Sequence, residues 1–177
     1  MRESSFFSFV PSPIGELLLT SDGEALTGVS MMPPGGWPAS AAAGRRDDVL
    51  LRQAREQMRA YFAGELCDFD LSLSPSGTEF QRRVWKALVA ISYGDTASYA
   101  QIARVIGQPT AVRAVGAANG RNPLAIIVPC HRVIGKDGTL TGYGGGLDRK
   151  QWLLGHEAAV LARRRTAAQP HQPAAVL

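Results

Sequence analysis

Ser98-Tyr-Ala-Gln-Ile-Ala-Arg-Val-Ile-Gly-Gln-Pro-Thr-Ala-Val-Arg-Ala-Val-Gly-Ala-Ala-Asn119 reads as two short helices broken by Gly107-Gln108-Pro109. Ser98-x-x-Gln101 is a capping box that starts a helix from Tyr99 to Ile106, and Thr110 is placed to cap a second from Ala111 to about Ala118. Two helices joined by a short turn containing glycine make a helix-turn-helix. In the second helix Arg113 is the one long charged side chain among alanines, valines and Gly116. Small side chains let a helix backbone approach a partner closely, and a lone arginine on the first turn can reach between bases or to phosphate.

Upstream, a second capping box at Thr78-x-x-Gln81 opens a helix that places Phe80, Val84, Trp85, Leu88, Val89 and Ile91 on one face. Before it, Ser5 to Val10, Glu16 to Thr20 and Glu24 to Met31 are strand-like runs separated by strong turn signals. Met32 to Gly44 reads as a loop. Leu50, Leu51, Ala54, Met58, Tyr61 and Phe62 recur at helical spacing up to Gly64, and Phe69, Leu71 and Leu73 alternate with polar residues as a half-buried strand. Residues 1–76 are therefore expected to form a small α/β domain with an antiparallel sheet. Residues 77–161 are expected to form a mainly helical, winged-helix-like domain built on the helix-turn-helix, with a disordered tail at 162–177.

The two parts differ in charge. Residues 1–76 carry 6 Lys/Arg against 10 Asp/Glu, and residues 77–177 carry 13 against 5, giving −4 and +8 within a net +4. The basic half is the half with the helix-turn-helix, an asymmetry that points to a polyanion partner. Arg149 and Lys150 are candidates for contacts to phosphate. No stretch approaches the ~18 apolar residues of a membrane span, and the first residues lack a signal-peptide core. With Cys67 and Cys130 alone, and no His or Cys at zinc spacing, the chain is expected to be cytoplasmic, free of metal and to hold free thiols.

Downstream, the apolar run Ala125-Ile-Ile-Val128 ends at Pro129, followed by a thiol and an imidazole in Cys130-His131. Neighbours in an extended chain point to opposite faces, so His131 can activate Cys130 only through a turned backbone or a bridging water.

Pro129-Cys130-His131-Arg132-Val133 resembles the active-site signature of the O6-alkylguanine-DNA alkyltransferases, the methylated-DNA–protein-cysteine methyltransferases. Phe80 to Glu157 is similar to that family's catalytic domain, with Ser98-Tyr99, Val112-Arg113-Ala114-Val115-Gly116, Asn122-Pro123, Gly142-Tyr143-Gly-Gly-Gly146 and Trp152-Leu-Leu-Gly-His-Glu157 in family order. The resemblance implies DNA repair by direct reversal: one transfer, per molecule, of an alkyl group from O6 of guanine, or O4 of thymine, in duplex DNA onto Cys130. By the same resemblance Cys130 is the nucleophile, His131 a base working through water, and Glu157 the carboxylate that orients it. Tyr99 protonates the leaving guanine and Asn122 ties the recognition helix to the cysteine turn. Arg113 is the finger that replaces a flipped base, and Tyr99, Thr110, Ala111, Ala114, Gly116 and Asn119 accompany it at the DNA. Val133, Tyr143, Gly144 and Gly145 hold the base; Gly144 stands where some members carry serine.

The resemblance implies no cofactor and a monomer. The thiol is expected to ionise somewhat more readily than a free cysteine. Two rivals are a non-catalytic sensor of alkylated guanine, which would lack the cysteine, and a Cys-His-Glu hydrolase, which would need an oxyanion hole and show turnover.

Overall fold

In a computed structural model, residues 5–38, 40–41 and 43–168 are described. Strands β1 (Phe6–Val10), β2 (Leu17–Ser21) and β3 (Leu26–Met31) form an antiparallel meander, to which β4 (Arg45–Arg46) adds in parallel beside β1. The sheet order is β3-β2-β1-β4. Leu17, Leu19, Leu26 and Val29 bury one face under helix α1 (Arg52–Ala63). That helix ends where Gly64 takes φ 77 and its N–H reaches back to the carbonyls of Ala60 and Tyr61.

Four expectations change, two in this half and two beyond it. The sheet has a parallel edge strand, β4, just past the expected loop. The alternating segment Phe69 to Leu73 forms no strand, because only Leu26 pairs with it, through Leu26 N–H to Ser72 O and Ser74 N–H to Leu26 O. Val89, assigned to the apolar face of the next helix, is 55% exposed. The expected disorder from residue 162 does not hold for residues 162–168, which continue helix α5 (Leu147–Ala168). Arg164 fixes that extension by donating to the carbonyls of Gly64 and Glu65 at 3.0 Å each. The rest of the expected tail, from residue 169, lies outside the described residues.

Helix α2 (Glu79–Val89) and helix α3 (Tyr99–Val105) both begin with complete capping boxes, at Thr78/Gln81 and Ser98/Gln101. Helix α4 (Val112–Gly120) follows, capped by Ala111 and not by the Thr110 hydroxyl, which makes no capping bond. Helices α2, α3 and α4 pack on one another around Val84, Trp85, Leu88, Ile102 and Val115. A two-stranded parallel wing, β5 (Ala97–Ser98) with β6 (Val133–Ile134), closes the motif.

The two halves are joined directly. Val29 on β3 receives the chain that leaves α4, by Val29 N–H to Pro123 O at 2.8 Å and Ala125 N–H to Val29 O at 3.1 Å. No described helix is long and apolar enough to cross a membrane.

Candidate active site

The apolar run before the cysteine is folded into consecutive tight turns. Ile127 N–H bonds to Ala125 O at 2.9 Å around Ile126, which holds φ 74. That is the rarer, positive-φ γ-turn, strained for a β-branched residue. Burial of Ile126 (1% exposed) and the pairing of Ala125 with β3 hold it in place. Cys130 N–H then bonds to Val128 O at 2.8 Å across Pro129, and Cys130–Arg132 form a single 3₁₀ turn. The turned backbone is one of the two routes the sequence left open for bringing a thiol and its neighbouring imidazole to one side.

Behind the turn lies a buried polar cluster centred on Glu157, which is fully buried on α5. It shares the inward face of α5 with Lys150, Leu153 and Val160, which recur every three or four residues. Its Oε1 accepts from His131 Nε2 at 2.8 Å, Tyr61 Oη at 2.8 Å and Arg132 Nη2 at 3.0 Å. Its Oε2 accepts from Arg132 Nε at 2.9 Å and the Gly94 N–H at 2.9 Å. Burial pushes the carboxyl upward, but the hydrogen bonds from His131 and Arg132, with the Arg132 charge, outweigh it and hold Glu157 at about 2. With Nε2 donating to this carboxylate, His131 Nδ1 is an acceptor, and no protein group engages it. Burial lowers the imidazole's affinity for a proton below that of free histidine despite the carboxylate, so His131 is a neutral base.

Cys130 is 6% exposed and lies at the floor of a cavity of about 210 Å³. Burial raises its thiol above the ordinary cysteine value, while the Asn122 side chain, nearby backbone amides and the Lys150 charge pull the other way without overcoming it. The expected downward shift is therefore reversed, and the resting pair is thiol and imidazole.

The cavity is walled by Ser30 and Met31 of β3, Asn119 and Asn122, and the loop Gly142–Gly145. Tyr143, Gly144 and Gly145, expected to hold the base, are among its lining residues. A Cβ at Gly144 would meet nothing within 4 Å, so serine fits there, whereas one at Gly145 would strike Met31 and the Tyr143 ring. Asn122 braces the segment between α4 and the cysteine turn: its Nδ2 donates to Val128 O at 2.8 Å and its Oδ1 accepts from Leu124 N–H at 3.0 Å.

Three assignments move. Val133 is fully buried outside the cavity lining; its N–H bonds to Cys130 O and its carbonyl accepts from the Lys150 ammonium. Asn119, grouped with the DNA contacts, is 3% exposed, donates to Cys130 O at 3.4 Å and faces the cavity. Lys150 is fully buried between the carbonyls of Val133 and Thr141, and Arg149 donates to Met32 O at 2.8 Å, so neither is placed as a phosphate contact.

The remaining DNA candidates share a surface. Arg113 and Ala114 are exposed on α4 and Thr110 just before it, with Ala111 and Gly116 half-buried beside them. The Tyr99 ring packs where a Cβ on Gly116 would sit, 3.8 Å away, and its hydroxyl reaches Thr141 O at 3.4 Å, between the helix and the cavity loop. Sequence reasoning missed Tyr61, Gly94 and Arg132 as partners of Glu157. Arg132 stands inside the signature that was read, but Tyr61 carried only the signal of a core position in α1. Among the described residues no group of His, Cys, Asp and Glu is arranged to hold a metal.

Comparison with known proteins agrees with this geometry. Residues 79–159 match the 6-O-methylguanine DNA methyltransferase DNA-binding domain, and residues 6–75 match the ribonuclease-like domain of the same proteins. The methylated-DNA–protein-cysteine methyltransferase of Methanosarcina acetivorans is 50% identical over 156 residues, covering 84% of this chain and 96% of the relative. That of Mycolicibacterium paratuberculosis is 55% identical over 148 residues, covering 84% and 89%. The structure of Mycobacterium tuberculosis O6-methylguanine methyltransferase superposes with a TM-score of 0.81 at 51% identity, covering 88% of this chain and 93% of that one. The same M. tuberculosis protein solved in complex with DNA gives the same score and identity over 88% and 94%. With both halves of the sequence matched, the chain belongs to the methylated-DNA–protein-cysteine methyltransferase family.

Proposed function

We propose that this protein repairs duplex DNA by moving the alkyl group of O6-alkylguanine onto Cys130, once per molecule. The observation that carries the reading is the cysteine itself: a buried thiol at the floor of a base-sized cavity, backed by a neutral imidazole whose far nitrogen is bound to a buried carboxylate.

The steps follow from the groups in place. A base in the duplex cannot reach the cavity, so the nucleotide leaves the stack, and Arg113, exposed on the first turn of α4, fills the gap. The small residues along α4 let its backbone approach the minor groove. His131 Nδ1 takes the thiol proton through a bridging water, the sulfur attacks the alkyl carbon, the new C–S bond forms and the C–O6 bond breaks. The electron pair stays on the guanine, which takes a proton from the Tyr99 hydroxyl; Tyr99 regains a proton from solvent, to which the His131 imidazolium gives up the one it took, and neutral guanine leaves the cavity. Cys130 is left as a thioether with no proton to give and no evident route back to thiol. In this reading the protein acts as a monomer in the cytoplasm.

Incubation with a duplex carrying isotopically labelled O6-methylguanine tests it. Mass spectrometry is expected to find one label per molecule on Cys130, and Cys130→Ser to bind the duplex without transfer. Label on Cys67, or label released as methanol, overturns the assignment. The second outcome would favour a hydrolase.

A further inference from the structure

We infer that Tyr61, carried on α1 of the N-terminal domain, is a positioning residue of the transfer reaction: its hydroxyl holds the Glu157 oxygen to which His131 donates, and so sets the orientation and basicity of the base. The inference rests on the relay proposed above and extends it across 96 residues of sequence into a domain that had carried no chemistry.

The geometry separates this contact from ordinary satisfaction of a core hydroxyl. Glu157 Oε1 receives three donors, Tyr61 Oη, His131 Nε2 and Arg132 Nη2, at 2.8, 2.8 and 3.0 Å. A carboxylate offers about four lone-pair sites in all, and five donors share this one, so each draws charge from the others. The phenol and the imidazole compete for the same oxygen. Removing the phenol returns negative charge to the oxygen facing His131, which favours protonated imidazole. It also removes one of the bonds that fix the carboxylate plane.

The other groups facing the cluster are Tyr93, Lys150 and Cys130, with Arg132 holding both carboxylate oxygens. None of them replaces the phenol: Gly94 and Arg132 Nε serve the other oxygen. Tyr61 is itself fixed from both sides. Its ring lies against Phe62, Phe69, Tyr93 and His156, and its carbonyl is 2.9 Å from His156 Nε2 on the same helix as Glu157. The α1 backbone and the α5 carboxylate are thereby registered to each other. Burial and the neighbouring carboxylate keep the phenol protonated across the physiological range, so it acts only as a donor.

The test measures the His131 titration by NMR and the acid limb of single-turnover transfer in the full-length protein. Tyr61→Phe keeps the ring and its packing, and is expected to raise the His131 pKa by about half a unit to one unit, since one donor to the shared charge is lost. The acid limb should move with it, and the maximal rate should fall several-fold. Installing 3-fluorotyrosine at position 61 makes a stronger donor and should move both midpoints down, with the fold intact. Glu157→Gln should also lower them and slow transfer.

If Tyr61 is only a core aromatic, Tyr61→Phe changes thermal stability and leaves both midpoints in place; that result, or fluorotyrosine moving them in the same direction as phenylalanine, overturns the inference. If Glu157→Gln leaves rate and limb unchanged, the relay itself fails and the role of Tyr61 falls with it.

Discussion

Replacing Glu157 by glutamine tests how much of the fold depends on the same charge that orients the base. The carboxyl is held at about 2 against an ordinary 4.5, and at ~1.36 kcal/mol per pH unit that difference corresponds to about 3 kcal/mol of native stability. Glu157 is completely buried, so solvent screening does not reduce the figure. A separate route gives the same order: removing one partner of a buried ion pair costs about 3–5 kcal/mol, here because Arg132 would keep its charge with no counterion. For a chain of this length the melting temperature at pH 7 should drop by roughly 6–12 °C.

The sign with pH follows from the depressed carboxyl. Its contribution is fully present above the ordinary value and is lost as pH falls through 4.5 toward 2. From this carboxyl alone, the two proteins should differ by a constant amount above about pH 5 and converge below it. His131, buried as neutral imidazole, also withdraws stability as pH falls below the ordinary histidine value of 6.5; the glutamine variant, whose imidazole lacks the carboxylate, withdraws at least as much, so this loss can only widen the gap and any closing of it belongs to the carboxyl. Urea unfolding from pH 3 to pH 8 measures the gap. A gap that stays constant to pH 3 would refute the account, because the stabilisation would then not come from the ionised carboxylate.

Two further outcomes follow from the placement of the basic side chains. Arg113→Ala, exposed on α4, should slow repair in duplex DNA by on the order of ten-fold or more while leaving reaction with free O6-benzylguanine within about two-fold, provided that base fits the cavity; equal losses on both substrates would remove the finger role. Lys150→Met should slow transfer to duplex and free base alike, with no change in the salt dependence of DNA binding, since the ammonium is buried beside the thiol. A salt slope reduced by about 1 would instead identify a phosphate contact.

What could be read from the residues was mostly what neighbours in sequence decide. Both capping boxes formed, because Ser98 and Gln101, or Thr78 and Gln81, need only each other. The signature around Cys130 pointed to the thiol and its histidine, and the resemblance over Trp152 to Glu157 pointed to Glu157, which spacing alone does not distinguish from Lys150 on the same face. The turn before Cys130 was not legible, because Ile126 adopts a backbone region that its own side chain disfavours and that only its pairing with β3 imposes. Nor were the fates of Lys150 and Arg149, since charged residues belong at the surface until a fold supplies carbonyls to receive them. Thr110 is a good cap by composition, yet α4 starts one residue later than expected, at Val112 with Ala111 in the cap position. Tyr61 was legible as a buried position but not as a hydrogen-bond donor, because its partner is 96 residues away.

The raised thiol and the lowered imidazole belong together. A thiol that ionised freely in the resting protein would meet oxidants and unintended electrophiles, whereas a buried neutral thiol is protected from both. Reactivity must then be released at the moment a base fills the cavity, which is why a neutral acceptor is needed next to it and an imidazolium would be useless. Burial contributes at this step too: the thiolate of a weaker acid is the stronger nucleophile, with rate rising with basicity at a Brønsted slope of ~0.4–0.5. The incoming base also displaces solvent from around the sulfur, so the attractions of Lys150 and Asn122 for the developing anion act in a less screened site. Once the alkyl group has moved, the sulfur carries neither charge nor proton, and those attractions have nothing to hold. In the proposed mechanism the cluster therefore offers no driving force for reversal, and a single turnover follows because the thiol it served has become a thioether.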